Sequence, residues 1–399
     1  GIIEHMDDIQ NLGIDVLYMT PIFQSNSCHK YDTTDYYQID PSFGTTEDLK
    51  ELVQKAHERG MKVVLDAVYN HTGREFFAFA DILENGEKSK YRDWYFIDGF
   101  PLKSEWGEIP NFKCFGYYGG MPKLNLKNPE VEKYITDVAC YWIKECDIDG
   151  WRLDVGDEIS HFFWKNFRKA VKAVKKDMLI IGEIWHYAGD FLEGDEWDTV
   201  MNYPFYLNLI DLLADEKITV SQFVQNLGYL KGRLHKNCYP LMWNLIDSHD
   251  TARFLHLCND NKKKQHLAAA FQLLLPGMPM IYYGDEYAMP GANDPDCRRG
   301  MYWDEEYQDK EMYEWYKRLI QVRKSHACIV EGELAGSVTE DEEGTVVLIR
   351  KNGEETIAMI FNCSSSAKKF NEYTQKYNLL TENTFDGNVE GFDAAVIVL

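Results

Sequence analysis

The stretch KVVLDAVYNH (residues 62–71) joins an apolar run directly to an acid, an amide and a histidine. The stretch IDGWRLDV (residues 148–155) repeats this arrangement, since a second apolar run leads into Arg152 and Asp154. Runs that are apolar at almost every position are typical of parallel strands buried on both faces. We therefore predict a parallel sheet whose carboxyl edge carries polar side chains.

Similar apolar runs alternate with amphipathic helical patterns along most of the chain. The predicted strands are 14–19, 62–67, 148–153, 178–183, 197–201, 240–246 and 279–283. The predicted helices between and after them are 46–59, 129–146, 160–175, 220–230, 264–275 and 310–324. Repeated β-then-α units predict an α/β fold with right-handed crossovers. Seven such strands, preceded by a helical pattern at residues 1–13, predict a (β/α)8 TIM barrel whose first strand is missing from this chain.

Two parts of the chain depart from this alternation. The segment between the strand at 62–67 and the helix at 129–146 is rich in glycine, aromatic and polar residues, and it is too long for a structureless loop. After the last helix, short period-2 patterns separated by turn residues predict a C-terminal antiparallel β-sandwich. The predicted boundaries are 1–69 and 128–325 for the barrel, 70–127 for an inserted subdomain and 326–399 for the β-sandwich.

The composition restricts the classes of partner. Acidic residues outnumber basic ones by 65 to 42, which gives a formal net charge of −23. Such a chain repels phosphate backbones and anionic lipid, so we expect neither a nucleic acid nor a membrane as partner. The most apolar stretch, 267–283, is interrupted by Gln272, Pro276 and Pro279 and does not fit a membrane span. The oligomeric state stays open.

The nine cysteines are irregularly spaced, and the sequence contains neither a CxxC nor an HExxH motif. This pattern favours buried free thiols in a reducing compartment over a zinc site, so we expect a cytoplasmic protein. The chain begins at Gly1, without a methionine and inside a helical pattern. We therefore expect the native N-terminus to lie further upstream, and a signal peptide stays open.

Acids follow several predicted strands at the edge where a barrel places its catalytic groups. Asp154, Glu183 and Asp250 each come directly after an apolar run, and His71 and Arg152 accompany them. A single acid at a strand end is usually a helix cap or a solvated loop residue. Acids at several strand ends in register indicate an active site.

The order and spacing of these stretches, from about residue 10 to 305, resemble the α-amylase superfamily of retaining glycoside hydrolases and transglycosylases. The stretch MPKLN (residues 121–125) resembles the signature of the neopullulanase, cyclomaltodextrinase and maltogenic amylase group. The resemblance implies that Asp154 is the nucleophile, Glu183 the general acid/base and Asp250 the stabiliser of the transition state.

Further residues take implied roles from the same resemblance. His71 and His249 match the pair that hydrogen-bonds the sugar being cleaved, and Tyr31 matches the tyrosine that stacks beneath it. Asp294 and Arg298 match a pair that grips the next glucose, although an ion pair between them at the surface is the alternative.

One more role follows from strand geometry. Residues two apart on a strand point to the same face, so Arg152 lies on the face of Asp154 and should keep that carboxyl ionised.

Some positions leave the chemistry open. Asn70 resembles a calcium ligand of starch-type amylases, but the acids that would complete such a site are not recognisable. We expect no required cofactor, and calcium binding at Asn70 stays open. Gly156-Asp157 and Asp247 depart from the residues usual in this group, and we expect the two acids to add negative charge near the rim.

The function implied by the resemblance is hydrolysis of α-1,4-glucosidic bonds in maltodextrins or starch-type glucans, and also in cyclodextrin or pullulan, by double displacement. A glucan transglycosylase is the alternative enzyme. A non-catalytic amylase-like binding subunit is the alternative from another class, but such proteins normally lack one of the three carboxylates that are present here.

Overall fold

The structure is a computed structural model that describes residues 1–103 and 109–399. These residues form two compact units. Unit 1 comprises Gly1–Ile184 and Asp190–Val200, and unit 2 comprises Trp185–Gly189 and Met201–Leu399.

Unit 1 is built on a parallel sheet. Its strands, in chain order, are β1 (Val16–Met19), β2 (Phe23–Ser25), β3 (Thr33–Ile39), β4 (Lys62–Ala67), β5 (Gly150–Leu153), β6 (Leu179–Gly182) and β7 (Thr199–Val200). The parallel sheet has the order β1-β4-β5-β6-β7, and β2 and β3 form a separate antiparallel pair. The register places Ala67, Leu153 and Gly182 side by side, so the residues that follow them leave the sheet at one level.

Three of the helices of unit 1 begin at a residue whose side chain caps them. They are α1 (Met6–Leu12), α2 (Thr46–Glu58), α3 (Phe77–Asn85), α4 (Pro129–Cys146) and α5 (His161–Val174). Thr45 caps α2 in a capping box with Asp48, and Asn128 caps α4 immediately before a proline. The apolar face of α4, which includes Ile135 and Trp142, is fully buried.

The predicted inserted segment lies within unit 1. It contains α3 and short antiparallel bridges that pair residues 97 with 112, 114 with 122, and 95 with 124. The insert therefore has secondary structure of its own. The boundaries assigned to it from the sequence stay a prediction.

Unit 2 continues the alternation of strands and helices. Its helices are α6 (Tyr203–Leu209), α7 (Val220–Arg233), α8 (Phe254–Leu257), α9 (Lys262–Leu274), α10 (Lys310–Ser325) and α11 (Ala327–Glu331). The strands β8 (Trp243–Asn244) and β9 (Met278–Pro279) pair in parallel.

The C-terminal part of unit 2 is antiparallel. Its strands are β10 (Glu333–Glu340), β11 (Thr345–Asn352), β12 (Glu355–Asn362), β13 (Lys368–Lys369), β14 (Tyr377–Asn378), β15 (Asn383–Thr384), β16 (Asn388–Val389) and β17 (Asp393–Val398). One sheet has the order β10-β11-β12-β17-β14-β15, and β13 pairs with β16. Ile360, Phe370, Phe385 and Ile397 meet in one apolar core, as the predicted sandwich requires.

The observed elements differ from the predicted ones mainly in length. The predictions 62–67 and 129–146 match β4 and α4 residue for residue. The predictions 240–246 and 279–283 were too long, because β8 and β9 are each short. Leu245 and Ile246 remain fully buried after β8 ends. An apolar run therefore marks burial, which continues after the hydrogen-bonded ladder has stopped.

Candidate active site

Arg152 is the centre of the candidate site in unit 1. Its side chain is fully buried on β5, and Nη1 donates to Asp154 Oδ1 at 3.0 Å. Nη2 lies 2.8 Å from Glu183 Oε2. One guanidinium thus contacts both acids to which the sequence assigns the bond-breaking roles. The register of β5 against β6 explains the contact, because Asp154 and Glu183 follow residues that are paired across the two strands.

The backbone around these acids is unusually constrained. Val155 adopts φ +47°, a left-handed conformation that is unfavourable for a β-branched residue, and its N–H donates to Glu183 Oε2 at 2.9 Å. Gly182 packs against the indole of Trp197 so closely that a Cβ would lie 2.2 Å from its Cε3 atom. Only glycine fits at this position, directly before Glu183.

Asp66 and Tyr18 belong to this cluster although sequence reasoning did not select them. Arg152 Nη1 donates to both oxygens of Asp66 at 3.1 and 3.0 Å, and the hydroxyl of Tyr18 donates to Oδ2 at 2.8 Å. Asp66 is the cross-strand partner of Arg152 in the parallel ladder. Burial raises the pKa of Asp66, and Arg152 opposes that rise. The sequence could have indicated Asp66, because this acid follows the apolar residues of β4 just as Asp154 follows those of β5.

Tyr31 and His71 lie beside the same cluster. The hydroxyl of Tyr31 donates to Asp66 Oδ2 at 3.0 Å, and its backbone carbonyl accepts a hydrogen bond from His71 Nε2 at 3.1 Å. Burial lowers the pKa of His71 to about 4, so its ring is neutral at physiological pH. The carbonyl of Tyr31 places the ring proton on Nε2. The sugar contacts assigned to both residues stay predictions.

Asn70 does not lie in a calcium-binding arrangement. Its Oδ1 accepts a hydrogen bond from Lys123 Nζ at 2.6 Å, and Lys123 is paired with Glu158 at 2.8 Å. An ammonium therefore occupies the place beside Asn70 that a cation would need. No group of three or more His, Cys, Asp or Glu side chains suited to a metal occurs among the described residues. These donors do not fit the calcium ion that the sequence left open.

Unit 2 holds the other predicted residues. His249 Nε2 lies 3.1 Å from Asp250 Oδ2, and Arg298 Nε donates to the carbonyl of His249 at 2.9 Å. Arg298 also pairs with Asp294 at 2.9 Å and lies 3.5 Å from Asp250 Oδ1. The structure thus brings Asp250, His249, Asp294 and Arg298 together, and the ion pair foreseen between Asp294 and Arg298 is present.

An aromatic groove lies in the same unit. Trp185 is 40% exposed and stacks on Tyr203 with ring centroids 3.9 Å apart. The groove has a volume of about 390 Å³, and Tyr187, Tyr229 and Arg233 also line it. Flat aromatic faces of this kind suit the apolar faces of sugar rings.

One further prediction fails. The sequence placed the charge of Asp247 at the rim, but Asp247 is only 1% exposed and lies inside unit 2. It packs against the buried Asp285 and Arg253, which lie outside the residues that the motifs selected. The motif identified Asp247 in the sequence but carried no information on the residues that bury it in the structure.

Comparisons with known proteins define the family. The family model described as "Alpha amylase, catalytic domain" matches residues 1–309. A cyclomaltodextrinase of Geobacillus thermopakistaniensis (strain MAS1) is 48% identical over 367 residues, which are 92% of this chain and 62% of that protein. An intracellular maltogenic amylase of Bacillus subtilis is 43% identical over 363 residues, which are 91% of this chain and 61% of that protein. A solved cyclomaltodextrinase structure matches all of this chain and 70% of that chain, with a TM-score of 0.95 and 39% identity.

The chain therefore belongs to the α-amylase family. The resemblance drawn from the motifs is confirmed, as is the fold class of a (β/α)8 barrel with a C-terminal antiparallel sheet. The chain spans less than two thirds of the length of the two relatives. None of the helices in the part of the chain that the structure describes has both the length and the apolar character of a membrane span.

Proposed function

We propose that this protein is a retaining glycoside hydrolase that cleaves α-1,4-glucosidic bonds. The observation that carries the proposal is the contact of one buried guanidinium, that of Arg152, with both Asp154 and Glu183 at the ends of adjacent strands. Two carboxyls about 5–5.5 Å apart are what a double displacement at a sugar carbon needs. Membership of the α-amylase family supports the same chemistry.

In the first step, Asp154 attacks the anomeric carbon while the Glu183 carboxyl gives its proton to the departing glycosidic oxygen. The bond from the anomeric carbon to that oxygen breaks, and a glycosyl ester of Asp154 forms. In the second step, Glu183 takes a proton from water, whose oxygen displaces Asp154. Two displacements leave the α configuration unchanged.

Arg152 favours the ionised form of Asp154, because a carboxylate gains a charge-assisted hydrogen bond from the guanidinium. The other guanidinium nitrogen, Nη2, contacts Glu183 and orients its carboxyl. We assign Asp250 to stabilise the positive charge that develops on the sugar ring in the transition state.

The remaining predicted residues bind substrate in this proposal. His71 and His249 hydrogen-bond the sugar being cleaved, and Tyr31 stacks beneath it. Asp294 and Arg298 contact the next glucose. The buried, neutral ring of His71 supports a hydrogen-bonding role over an ionic one.

The substrates we propose are short maltodextrins and starch-type glucans, together with cyclodextrins and pullulan. The name cyclomaltodextrinase, carried by one relative, supports the inclusion of cyclic glucans. We propose a cytoplasmic location, because all nine cysteines are free thiols and another relative is named intracellular. We keep the boundaries 70–127 and 326–399 for the inserted subdomain and the β-sandwich.

Substitution of the two acids tests the proposal. We expect Glu183→Gln and Asp154→Asn each to lower kcat on maltotriose and β-cyclodextrin by at least about 10²–10⁴-fold, because each variant loses proton transfer or nucleophilic attack. Asp137→Asn is the matched control, since Asp137 is an exposed acid of α4 paired with Lys133. Unfolding curves would establish that all three variants are folded. Turnover near that of the control by either site variant would refute the assignment.

A further inference from the structure

Unit 2 contains a second buried arginine–carboxyl cluster, apart from the residues assigned to substrate. Asp247 is 1% exposed, and Arg253 and Asp285 are fully buried. Asp247 lies in the loop after β8, Arg253 directly precedes α8, and Asp285 follows β9. Two segments of the chain, the loop between β8 and α8 and the turn after β9, thus place charged side chains in one closed space.

Two carboxylate oxygens in this space accept no hydrogen bond from the described residues, and Arg253 Nη2 and the Tyr316 hydroxyl, although buried beside them, donate to neither. Asp247 Oδ2 accepts from the N–H of Phe254 at 2.6 Å, and Asp285 Oδ1 accepts from Arg253 Nη1 at 3.1 Å. Asp247 Oδ1 and Asp285 Oδ2 are buried, and among the described residues no N–H or O–H group donates to either. The two carboxyls interact with each other.

An ionised carboxylate only accepts hydrogen bonds, so two ionised groups in contact would repel each other without a donor between them. A single proton removes the conflict, since a protonated carboxyl donates to a carboxylate. We propose that Asp247 and Asp285 share one proton, and that the pair, held by Arg253, is a positioning element for the loop that carries His249 and Asp250.

The contacts of the cluster reach that loop directly. The hydrogen bond from Phe254 to Asp247 closes a turn that contains His249 and Asp250. The backbone N–H of Arg253 donates to the carbonyl of Gly291 at 3.0 Å, and its Nε donates to the carbonyl of Cys297 at 3.2 Å. The cluster therefore connects the Asp250 loop with the segment that ends in Arg298. Its catalytic consequence rests on the proposed function, whereas the shared proton does not.

The charged and titratable groups that act on the pair are Arg253, Glu286, Tyr206 and Tyr316. Tyr282 and Tyr283 lie against the guanidinium of Arg253. Burial raises the pKa of both Asp247 and Asp285, and burial also raises the pKa of Glu286 to about 7. Arg253 is the one cation among them, and it opposes the rise for both aspartates. The proton that the two aspartates retain therefore titrates as a property of the pair, and neither carboxyl has a separate pKa for it.

The pH dependence of stability has a definite sign. The folded pair keeps a proton that an unfolded aspartate releases near pH 4, so this contribution to stability is complete below that pH and declines as the pH rises toward the raised pKa. Asp247→Asn replaces the protonated carboxyl by an amide, which donates to Asp285 without a titratable proton. We therefore expect the Tm of Asp247→Asn, relative to wild type, to increase steadily from pH 5 to pH 9.

Asp149→Asn is the matched control for this measurement. Asp149 is also buried, at 6% exposed, but it accepts from Lys175, His57 and the N–H of Val63, and these contacts lower its pKa. Its loss should lower the Tm by a nearly constant amount from pH 5 to pH 9, because this carboxyl stays ionised over that range, and the deficit should shrink only below about pH 4. A Tm difference for Asp247→Asn that is flat or falls between pH 5 and pH 9 would overturn the shared proton.

Activity tests the positioning role. At neutral pH we expect Asp247→Asn to keep kcat within about threefold of wild type and to extend activity to higher pH. We expect Asp247→Ala to lower kcat by a larger factor than it changes KM. The substitution frees the loop that carries His249 and Asp250 but removes no sugar contact. Equal kcat values for the alanine variant and wild type, with both folded, would overturn positioning. The Tm series is independent of turnover, so failure of the proposed function would leave its outcome intact.

Discussion

Arg152 in unit 1 and Arg253 in unit 2 are both fully buried among carboxyl groups, yet their surroundings differ. Around Arg152, tyrosine hydroxyls and a backbone N–H supply further donors, and the acids end neighbouring strands at one level. Around Arg253, two carboxylate oxygens lack any such donor in the described structure. The same residue types therefore form a candidate reaction centre in one place and a proton-holding support in the other.

Loss of the arginine separates the two roles most strongly. Removing one partner of a buried ion pair costs about 3–5 kcal/mol of unfolding free energy, so we expect Arg152→Met and Arg253→Met both to lower stability to that extent. Only Arg152→Met should lower kcat/KM by about 10²–10³-fold in the folded fraction, since Arg152 contacts the two carboxyls to which we assign the reaction and Arg253 does not. Urea unfolding and steady-state kinetics on maltotriose would measure the two effects.

The two variants serve as controls for each other. If Arg253→Met lost as much kcat/KM as Arg152→Met at equal folded fraction, the distinction between reaction centre and support would be wrong.

The comparison also shows how far the sequence could lead. Asp154 and Glu183 follow apolar runs, and alternation along β5 already placed Arg152 on the face of Asp154. The parallel register then brings these residues together. For these three residues, pattern and topology were sufficient to predict that they lie together, whereas Asp66 and Tyr18 of the same cluster were found only in the structure.

The second cluster could not be found in this way. Asp285 lies in a short turn with no periodic pattern, and its partners Asp247 and Arg253 lie in one loop more than thirty residues earlier in the chain. Their contact depends on how loops pack, and local sequence carries little information on that. The role of Lys123 beside Asn70 has the same origin, because the lysine belongs to the insert and the amide follows β4.

A smaller effect on stability is expected at Gly182, which directly precedes Glu183 in the cluster around Arg152. A methyl group at Gly182 would collide with Trp197, which is itself packed against Phe191 with ring centroids 4.0 Å apart. We expect Gly182→Ala to lower the free energy of unfolding by about 1–3 kcal/mol through overpacking. Gly228→Ala in α7 is the control, since nothing lies within 4 Å of its would-be Cβ. That control should raise stability by up to about 1 kcal/mol.

Urea unfolding at pH 7 would compare the two alanine variants. Equal stability changes of the same sign would show that the close approach of Gly182 to Trp197 does not restrict this position.

The smallest effect contrasts the acid and alkaline limits of stability. Burial lowers the pKa of His71 to about 4, against about 6.5 for an unfolded histidine, so its contribution is complete above pH 6.5 and is lost as the pH falls toward 4. At pH 6 the loss amounts to about 1 kcal/mol. His71→Gln keeps a side-chain N–H for the carbonyl of Tyr31 but does not titrate, so its unfolding free energy relative to wild type should rise by that amount between pH 8 and pH 6.

His256→Gln is the control, because it makes the same replacement at an exposed residue of α8. The slope expected for Asp247→Asn has the opposite sign. Together, the two results would assign the loss of stability at acid pH to the cluster around Arg152 and the loss at alkaline pH to the Asp247–Asp285 pair. An unchanged difference for His71→Gln from pH 8 to pH 6 would mean that His71 takes up a proton as readily in the folded as in the unfolded chain. Its neutral hydrogen-bonding role would then have to be abandoned.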